Sequence, residues 1–325
     1  MAAVEIRTIR PDERDIVLDL LANWLEDRAF FARYFEHDPT FRDDLCFVAL
    51  DAGRVVSTLQ VFRKRVRLFG AVVEVAGVGN VFTADAYREH GLASKLIERA
   101  NSAMVEHGFD LSLLFATRIP FYGRFGWQSH PRQLLFVEAA EGSAAGPCEL
   151  RDFQPADLPQ VMQVYDAYNA RHDGTTVRDA AYWQGQLRYA GNPAEDFIVA
   201  VDAGRIVGYA RGTTLYDIYV IIEHGHLPGY EEALTQLLCA LHHGPARGLP
   251  GSVTHLSIAP AVQRALTQRG LNLRSIEDVF WMWKIVSSER LAGKIGLKQA
   301  ELDREDIFFR LLPPGESVYW TSDRF

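Results

Sequence analysis

Two rhythms of apolar residues alternate along the first half of the chain. Strand-type apolar runs fall at residues 4–8, 46–66, 72–83, 111–115 and 133–138. Stretches with helical spacing lie between them, over residues 11–36 and 91–107. In the second stretch Leu92, Leu96 and Ile97 share one helical face and are expected to cover a sheet, leaving Lys95, Glu98 and Arg99 in solvent. This order predicts an α/β fold with a mixed, mostly antiparallel sheet and helices on both faces.

The pattern then repeats. Val4-Glu-Ile-Arg-Thr-Ile-Arg-Pro11-Asp and Cys148-Glu-Leu-Arg-Asp-Phe-Gln-Pro155-Ala-Asp157 both read as a strand followed by a proline in a first helical turn. Phe47-Val-Ala-Leu-Asp51-Ala-Gly-Arg and Phe197-Ile-Val-Ala-Val-Asp202-Ala-Gly-Arg both read as hairpins turning at Asp-Ala-Gly. Two echoes in the same order indicate a duplicated unit. Domains are expected at residues 1–141 and 148–286, joined by a Gly/Ala/Pro/Ser linker at 142–147. Residues 287–325 remain as a tail, with a helix near 288–295 and one or two strands.

The most specific chemistry lies where the strand ending at Val81-Phe82-Thr83 passes through Arg88-Glu-His-Gly91-Leu92-Ala93-Ser94 into a helix. A helix start leaves several backbone N–H groups without partners, and its dipole favours an anion there. The small residues Gly91 and Ala93 let a phosphate approach the backbone. In the second copy the corresponding segment is His226-Leu-Pro-Gly229-Tyr-Glu231. The glycine survives, but Glu231 puts a carboxylate at the helix start, repelling a pyrophosphate by on the order of a few kcal/mol at partial burial. Leu266 stands where the first copy has Tyr122. The second half therefore reads as a structural partner.

Composition narrows the remaining classes. The chain has 325 residues, 48% of them hydrophobic, and a net charge of −8 without a basic tract, which disfavours nucleic acid as a partner. No apolar run is long enough to span a bilayer, and the N-terminus lacks the build of a signal peptide. Cys46, Cys148 and Cys239 fit neither a disulfide framework nor a metal knuckle, so a reducing cytoplasm is the natural compartment. His224, His226, His242 and His243 have no acidic or thiol residue at a recognised ligand spacing, and are expected as surface or turn residues with no metal.

The order Arg88-x-x-Gly91-x-Ala93 resembles the acyl-CoA pyrophosphate loop of the GNAT superfamily of N-acetyltransferases. Ile119-Pro-Phe-Tyr122-Gly-Arg-Phe-Gly126-Trp is similar to the tyrosine signature of its Eis family, which also pairs a working GNAT half with a degenerate one. That family's third domain, of sterol-carrier type, does not fit in residues 287–325, although the aromatic close ending at Phe325 resembles the family's C-terminus. The resemblance implies two tandem GNAT-like domains and acetyl-CoA as cosubstrate, with a primary amine as acceptor.

It further implies that the backbones of Val81, Phe82 and Thr83 hold the pantetheine. Those of Arg88, Gly91, Leu92, Ala93 and Ser94 would hold the pyrophosphate. Tyr122 is then the acid and the Phe325 carboxylate the base. Trp24, Glu26 and Asp27, on the early helices, would border the acceptor. Read from residues alone, Tyr122 is equally a core aromatic, Phe325 a frayed tail, and Glu26 and Asp27 an exposed helix face. A non-catalytic acyl-CoA-binding or scaffold protein, or a tandem GNAT resembling mycothiol synthase, is the alternative. The acceptor and the oligomeric state, a homo-oligomer included, stay open.

Overall fold

The computed structural model describes residues 4–25, 27–138, 141–189, 195–215, 217–246, 248–255 and 259–325. The first half runs β1 (Glu5–Thr8), α1 (Arg14–Leu25), α2 (Arg28–His37), β2 (Cys46–Asp51), β3 (Arg54–Leu68), β4 (Ala71–Thr83), α3 (Leu92–Glu106) and β5 (Leu111–Phe115). It continues with the short α4 (Ile119–Gly123), β6 (Gln128–Ser129) and β7 (Arg132–Glu138). The second half repeats this order with β8 (Glu149–Asp152), α5 (Leu158–Asn169), α6 (Ala180–Tyr189), β9 (Asp196–Asp202), β10 (Arg205–Leu215), β11 (Ile218–His226) and α7 (Glu231–His243). After these come β12 (Gly251–His255), α8 (Pro260–Gln268), β13 (Leu273–Asp278), β14 (Trp281–Ile285), α9 (Ser288–Ile295) and α10 (Ile307–Leu311).

The duplication extends to single hydrogen bonds. Glu13 accepts from the Arg10 N–H at 2.8 Å and pairs with Arg7, while Asp157 accepts from the Gln154 N–H at 2.7 Å and pairs with Arg151. Both hairpins turn with two successive left-handed residues, Ala52 and Gly53 at φ 49° and 81°, and Ala203 and Gly204 at φ 46° and 78°. That geometry matches the right-handed twist of the flanking strands.

There are two seven-stranded sheets, in the orders β1-β2-β3-β4-β5-β14-β6 and β13-β7-β12-β11-β10-β9-β8. The strand expected to close the first sheet, β7, lies inside the second, antiparallel to both β12 and β13. In return β14 fills the first sheet between β5 and β6. Both exchanged strands are apolar on two faces, as central strands require. Leu135 and Val137 enter the core of the second half while Leu134 and Phe136 pack with Val253 on the other face. Met282 joins the core under α3, and Trp281 and Trp283 point the opposite way, against the tail.

Only one neighbouring pair in each sheet is parallel, and in each it parts early. β4 and β5 pair over Val75–Val78 against Leu111–Leu114, after which β4 runs on to Thr83 without β5. β11 and β12 pair only at Tyr219–Val220 against Ser252–Val253, and β11 runs on to His226. Each sheet thus has a cleft beside its longer strand, and the tail visits both. The expected helix occurs at α9, but residues 296–325 form short helical turns and no strand. Phe308, Tyr319 and Trp320 are buried instead, while Phe309 stays exposed. Trp320 sits fully buried beside the second cleft, its indole N–H donating to the Asn169 Oδ1 at 2.8 Å.

The histidines correct the sequence reading. His224 and His226 on β11 and His242 on α7 are buried. β11 is a central strand, and Trp320 covers its end, with ring centres 4.8 Å apart from His224. Burial drives the His224 imidazole down to about 3, so it is neutral at physiological pH. Among the described residues no cluster of three His, Cys, Asp or Glu side chains is placed to hold a metal ion. None of the described helices is long and apolar enough to cross a membrane.

Candidate active site

The first cleft is prepared by an irregularity in β4. Pairing with β3 shifts between Thr58 and Gln60, so that Leu59 alone faces Asn80 and Val81. Asn80 takes φ 52°, and its side-chain amide donates to the Gln60 Oε1 at 2.8 Å, both groups buried. A bulge of this kind re-aims backbone groups. The Phe82 carbonyl points back to β3, where the Ser57 hydroxyl donates to it at 2.9 Å. By alternation, Val81 and Thr83 turn their backbone polar groups towards the open side. The sequence reading took Asn80 as part of a plain extended edge and missed Gln60 altogether. The Gly79-Asn80 pair was the available signal, since both residue types suit strained backbone.

At the end of β4 the chain makes a short turn over Asp85–Tyr87 and reaches Gly91, in the left-handed region at φ 73°. A side chain at Gly91 would meet nothing within 4 Å, so backbone conformation, not crowding, calls for glycine. The Lys95 N–H is the first in α3 to bond back, to the Gly91 carbonyl at 3.1 Å, so the N–H groups of Leu92, Ala93 and Ser94 lie ahead of the helical ladder. Arg88 pairs with Asp85 at 2.6 Å on the surface and donates to the Thr83 carbonyl at 3.3 Å, fastening the turn to β4. Leu92, Leu96 and Ile97 are buried, as their spacing predicts. In the second half Gly229 has the matching φ of 84°, Glu231 opens α7, and Leu266 is buried in the core.

Tyr122 lies on α4, which has Pro120 in its first turn and ends at Gly123, and the turn that follows closes at Gly126, whose φ is 94°. Its ring meets Phe121 and Trp127 edge-on, at 5.0 and 6.4 Å. Burial pushes its phenol up to about 12, with Arg118 acting weakly against the shift. Lys284, on the exchanged strand β14, reaches under this turn and donates to the Phe125 carbonyl at 2.8 Å and to the Asn101 Oδ1 at 2.9 Å. It ties the tyrosine helix to α3, and burial lowers its ammonium to about 8. Nothing in the sequence pointed to Lys284, because the strand carrying it belongs to the other half.

The chain end packs on β4 where that strand parts from β5. The Phe325 ring packs between Phe62 and Phe115, 5.1 Å from each. It lies directly over Gly77, where an added Cβ would come within 2.4 Å of the ring, and beside Gly79, where a Cβ would lie 3.5 Å from the Phe325 carbonyl oxygen. The terminus is therefore packed, and two glycines of β4 make room for it.

The early-helix residues are placed unevenly. Trp24 is half exposed, stacked on Phe82 at 6.2 Å and on Phe31 at 6.1 Å, so it borders the open end of β4. The Asp27 carboxylate caps α2, accepting from the Phe30 N–H at 2.9 Å. Glu26 lies outside the described residues.

A duplicated mixed sheet whose fourth strand parts from the fifth beside an unladdered helix start is an α/β fold of two tandem GNAT-like domains. Residues 5–129 match the family model described as an acetyltransferase (GNAT) domain, and the chain carries such a domain in its first half. An uncharacterized N-acetyltransferase of Streptomyces griseus is 27% identical over 161 residues, 46% of this chain and 38% of that protein. The match thus spans less than half the length of that relative. Among solved structures, a GCN5-related N-acetyltransferase from Anabaena variabilis has a TM-score of 0.67 at 16% identity, over 88% of this chain and 73% of that one. Eis1 from Mycobacterium abscessus has a TM-score of 0.62 at 14% identity, over 89% and 75% of the two chains. At such identities the likeness concerns the fold.

Proposed function

We propose that the first half transfers an acetyl group from acetyl-CoA to a primary amine by direct attack. The observation that supports this reading is that β4 links the parts: it parts from β5 beside Phe325, bulges at Asn80 and leads to the helix start at Gly91, and Tyr122 packs on the core that includes Ala76 and Val78 of the same strand. The pyrophosphate rests on the N–H groups of Leu92, Ala93 and Ser94, and the pantetheine runs along Val81, Phe82 and Thr83. The amine nitrogen bonds to the thioester carbon and the C–S bond breaks. The nitrogen's surplus proton passes to the Phe325 carboxylate, and the sulfur takes the phenolic proton of Tyr122. For an acceptor entering beside the end of β4, Trp24 is the candidate wall, since its ring stacks on Phe82, and Asp27 follows it at the start of α2.

The test is amine-dependent release of CoA thiol from acetyl-CoA, measured across small-molecule and peptide amines. The expected result is release that saturates with one amine class. Tight acetyl-CoA binding with no thiol release on any amine overturns the reading in favour of a binding protein.

The contrast between the halves supplies a second check. Ala93→Glu copies the residue that opens α7 in the other half. A carboxylate at that helix end costs roughly 2 kcal/mol against a pyrophosphate once solvent screening is allowed for, and so raises the acetyl-CoA KM about 30-fold with kcat nearly unchanged. Steady-state kinetics at varied acetyl-CoA measures it, and an unchanged KM would place the pyrophosphate elsewhere.

A further inference from the structure

The segment that carries Phe325 into the cleft is held almost entirely by the other half of the molecule. Arg178, fully buried just before α6, donates to both carboxylate oxygens of Asp323, from Nη2 at 2.8 Å and from Nε at 3.1 Å. The same Nη2 reaches the Glu223 carboxylate on β11 at 2.6 Å and the Ser322 hydroxyl at 3.1 Å. The guanidinium stacks over Tyr165 and Trp183, at 4.2 and 4.5 Å. A planar fork with fixed donor directions holds a carboxylate in one orientation, which an ammonium does not. Around it, the Tyr182 hydroxyl donates to the Asp323 Oδ1 at 3.1 Å, and the Gln186 amide donates to the Ser322 carbonyl at 3.1 Å.

Burial opposes charge on Glu223, yet Arg178 and Arg211 outweigh it and hold its carboxyl at about 2. Glu223 thus stays ionised across physiological pH beside the Arg178 guanidinium. From Asp323 only Arg324 separates the clamp from Phe325, whose ring rests on the glycine floor of β4.

We propose that Arg178 is a positioning residue for the first half's reaction: by fixing Asp323 it sets the Phe325 carboxylate against β4, so the second half serves to deliver the base. This rests on the reading of that carboxylate as the proton acceptor. The degenerate half has lost its own loop and tyrosine, and the space beside its long strand holds the tail segment from Trp320 to Asp323. The hydrogen bonds of Arg178 run to Glu223 of the second half and to Ser322 and Asp323 of the tail.

The test compares wild type, Arg178→Gln, a protein with one alanine added after Phe325, and the combination of the two changes. Carboxypeptidase trimming of Phe325, followed by mass spectrometry, reads tail placement without activity. Trimming at least 10-fold faster in Arg178→Gln than in wild type is expected, and an unchanged rate overturns the clamp. In turnover, Arg178→Gln is expected to lower kcat about 100-fold with the acetyl-CoA KM within 2-fold, and to add less than 2-fold in the extended protein. A full, multiplicative loss in the combination overturns the proposal, because it shows Arg178 acting apart from the tail.

If the extended protein alone keeps full kcat, the carboxylate is not the base, and the reading of the reaction fails separately from the clamp. Should Arg178→Gln not fold, Gly77→Ala disturbs the same seat from β4, where its Cβ would displace the Phe325 ring. It is expected to show the same pairing of faster trimming with lower kcat. Normal trimming and normal kcat in Gly77→Ala overturn the proposal.

Discussion

Phenylalanine in place of Tyr122 is expected to lower kcat about 100-fold while the acetyl-CoA KM stays within about 2-fold, since positioned proton donors contribute roughly 10²–10⁴ in rate. The substitution removes one oxygen and keeps the ring, so the edge-on contacts with Phe121 and Trp127 persist. α4 keeps Pro120 in its first turn and the closing turn at Gly126, and the Lys284 tether is to backbone and to Asn101, not to the phenol. What disappears is the proton for the departing sulfur. Because burial holds the phenol at about 12, it is protonated throughout the neutral range, and its own ionisation limits the rate only in strong alkali. Turnover at saturating amine measures the effect. Wild-type kcat in Tyr122→Phe removes the phenol from the reaction and returns it to the core.

Trp320→Ala is expected to destabilise the protein by about 3–5 kcal/mol, the usual cost of deleting a large buried aromatic. The indole lies between His224 and His255, with ring centres at 4.8 and 5.2 Å, and its N–H satisfies the buried Asn169. Truncation opens a cavity that the flanking strands β11 and β12 cannot close, and leaves an amide oxygen of Asn169 unpaired. The neighbouring Tyr319 carbonyl is held by Arg132 at 2.9 Å and by His255 at 2.8 Å, so the backbone just before the lost ring stays anchored. Urea unfolding followed by tryptophan fluorescence and circular dichroism gives the difference directly. A loss below about 1 kcal/mol would mean that the tail contributes little to the second half, and that the plug is incidental.

The elements that could be read in advance share a local cause. Asp51-Ala-Gly and Asp202-Ala-Gly close hairpins because their turns are built from the backbone freedom of consecutive residues. Gly91 marks the helix start because only the left-handed conformation makes that entry. The face of Leu92, Leu96 and Ile97 was legible because helical periodicity is set by neighbours a few residues away. The loss of Ala93's counterpart to Glu231, and of Tyr122's to Leu266, was visible for the same reason, once the repeat supplied the alignment.

What escaped the sequence depends on residues far apart in the chain. β7 and β14 change sheets because both are apolar on two faces, and such a strand pairs equally well in either half until the whole core is assembled. His224 looked like a surface residue because its cover, Trp320, lies almost a hundred positions away and arrives only with the tail. Asn80 with Gln60, Lys284 with Phe125, and Arg178 with Asp323 are pairs that no local rule connects.

Residue order alone was enough to establish a duplicated α/β chain in which one helix-start loop keeps both small residues, because turns, helix starts and amphipathic faces are short-range matters of backbone strain and periodicity. Which half keeps each strand, where the histidines lie and what becomes of the last eight residues were decided only by packing. Burying Trp320 against the second sheet and packing Phe325 on β4 of the first is a gain that exists only when both sheets are already in place.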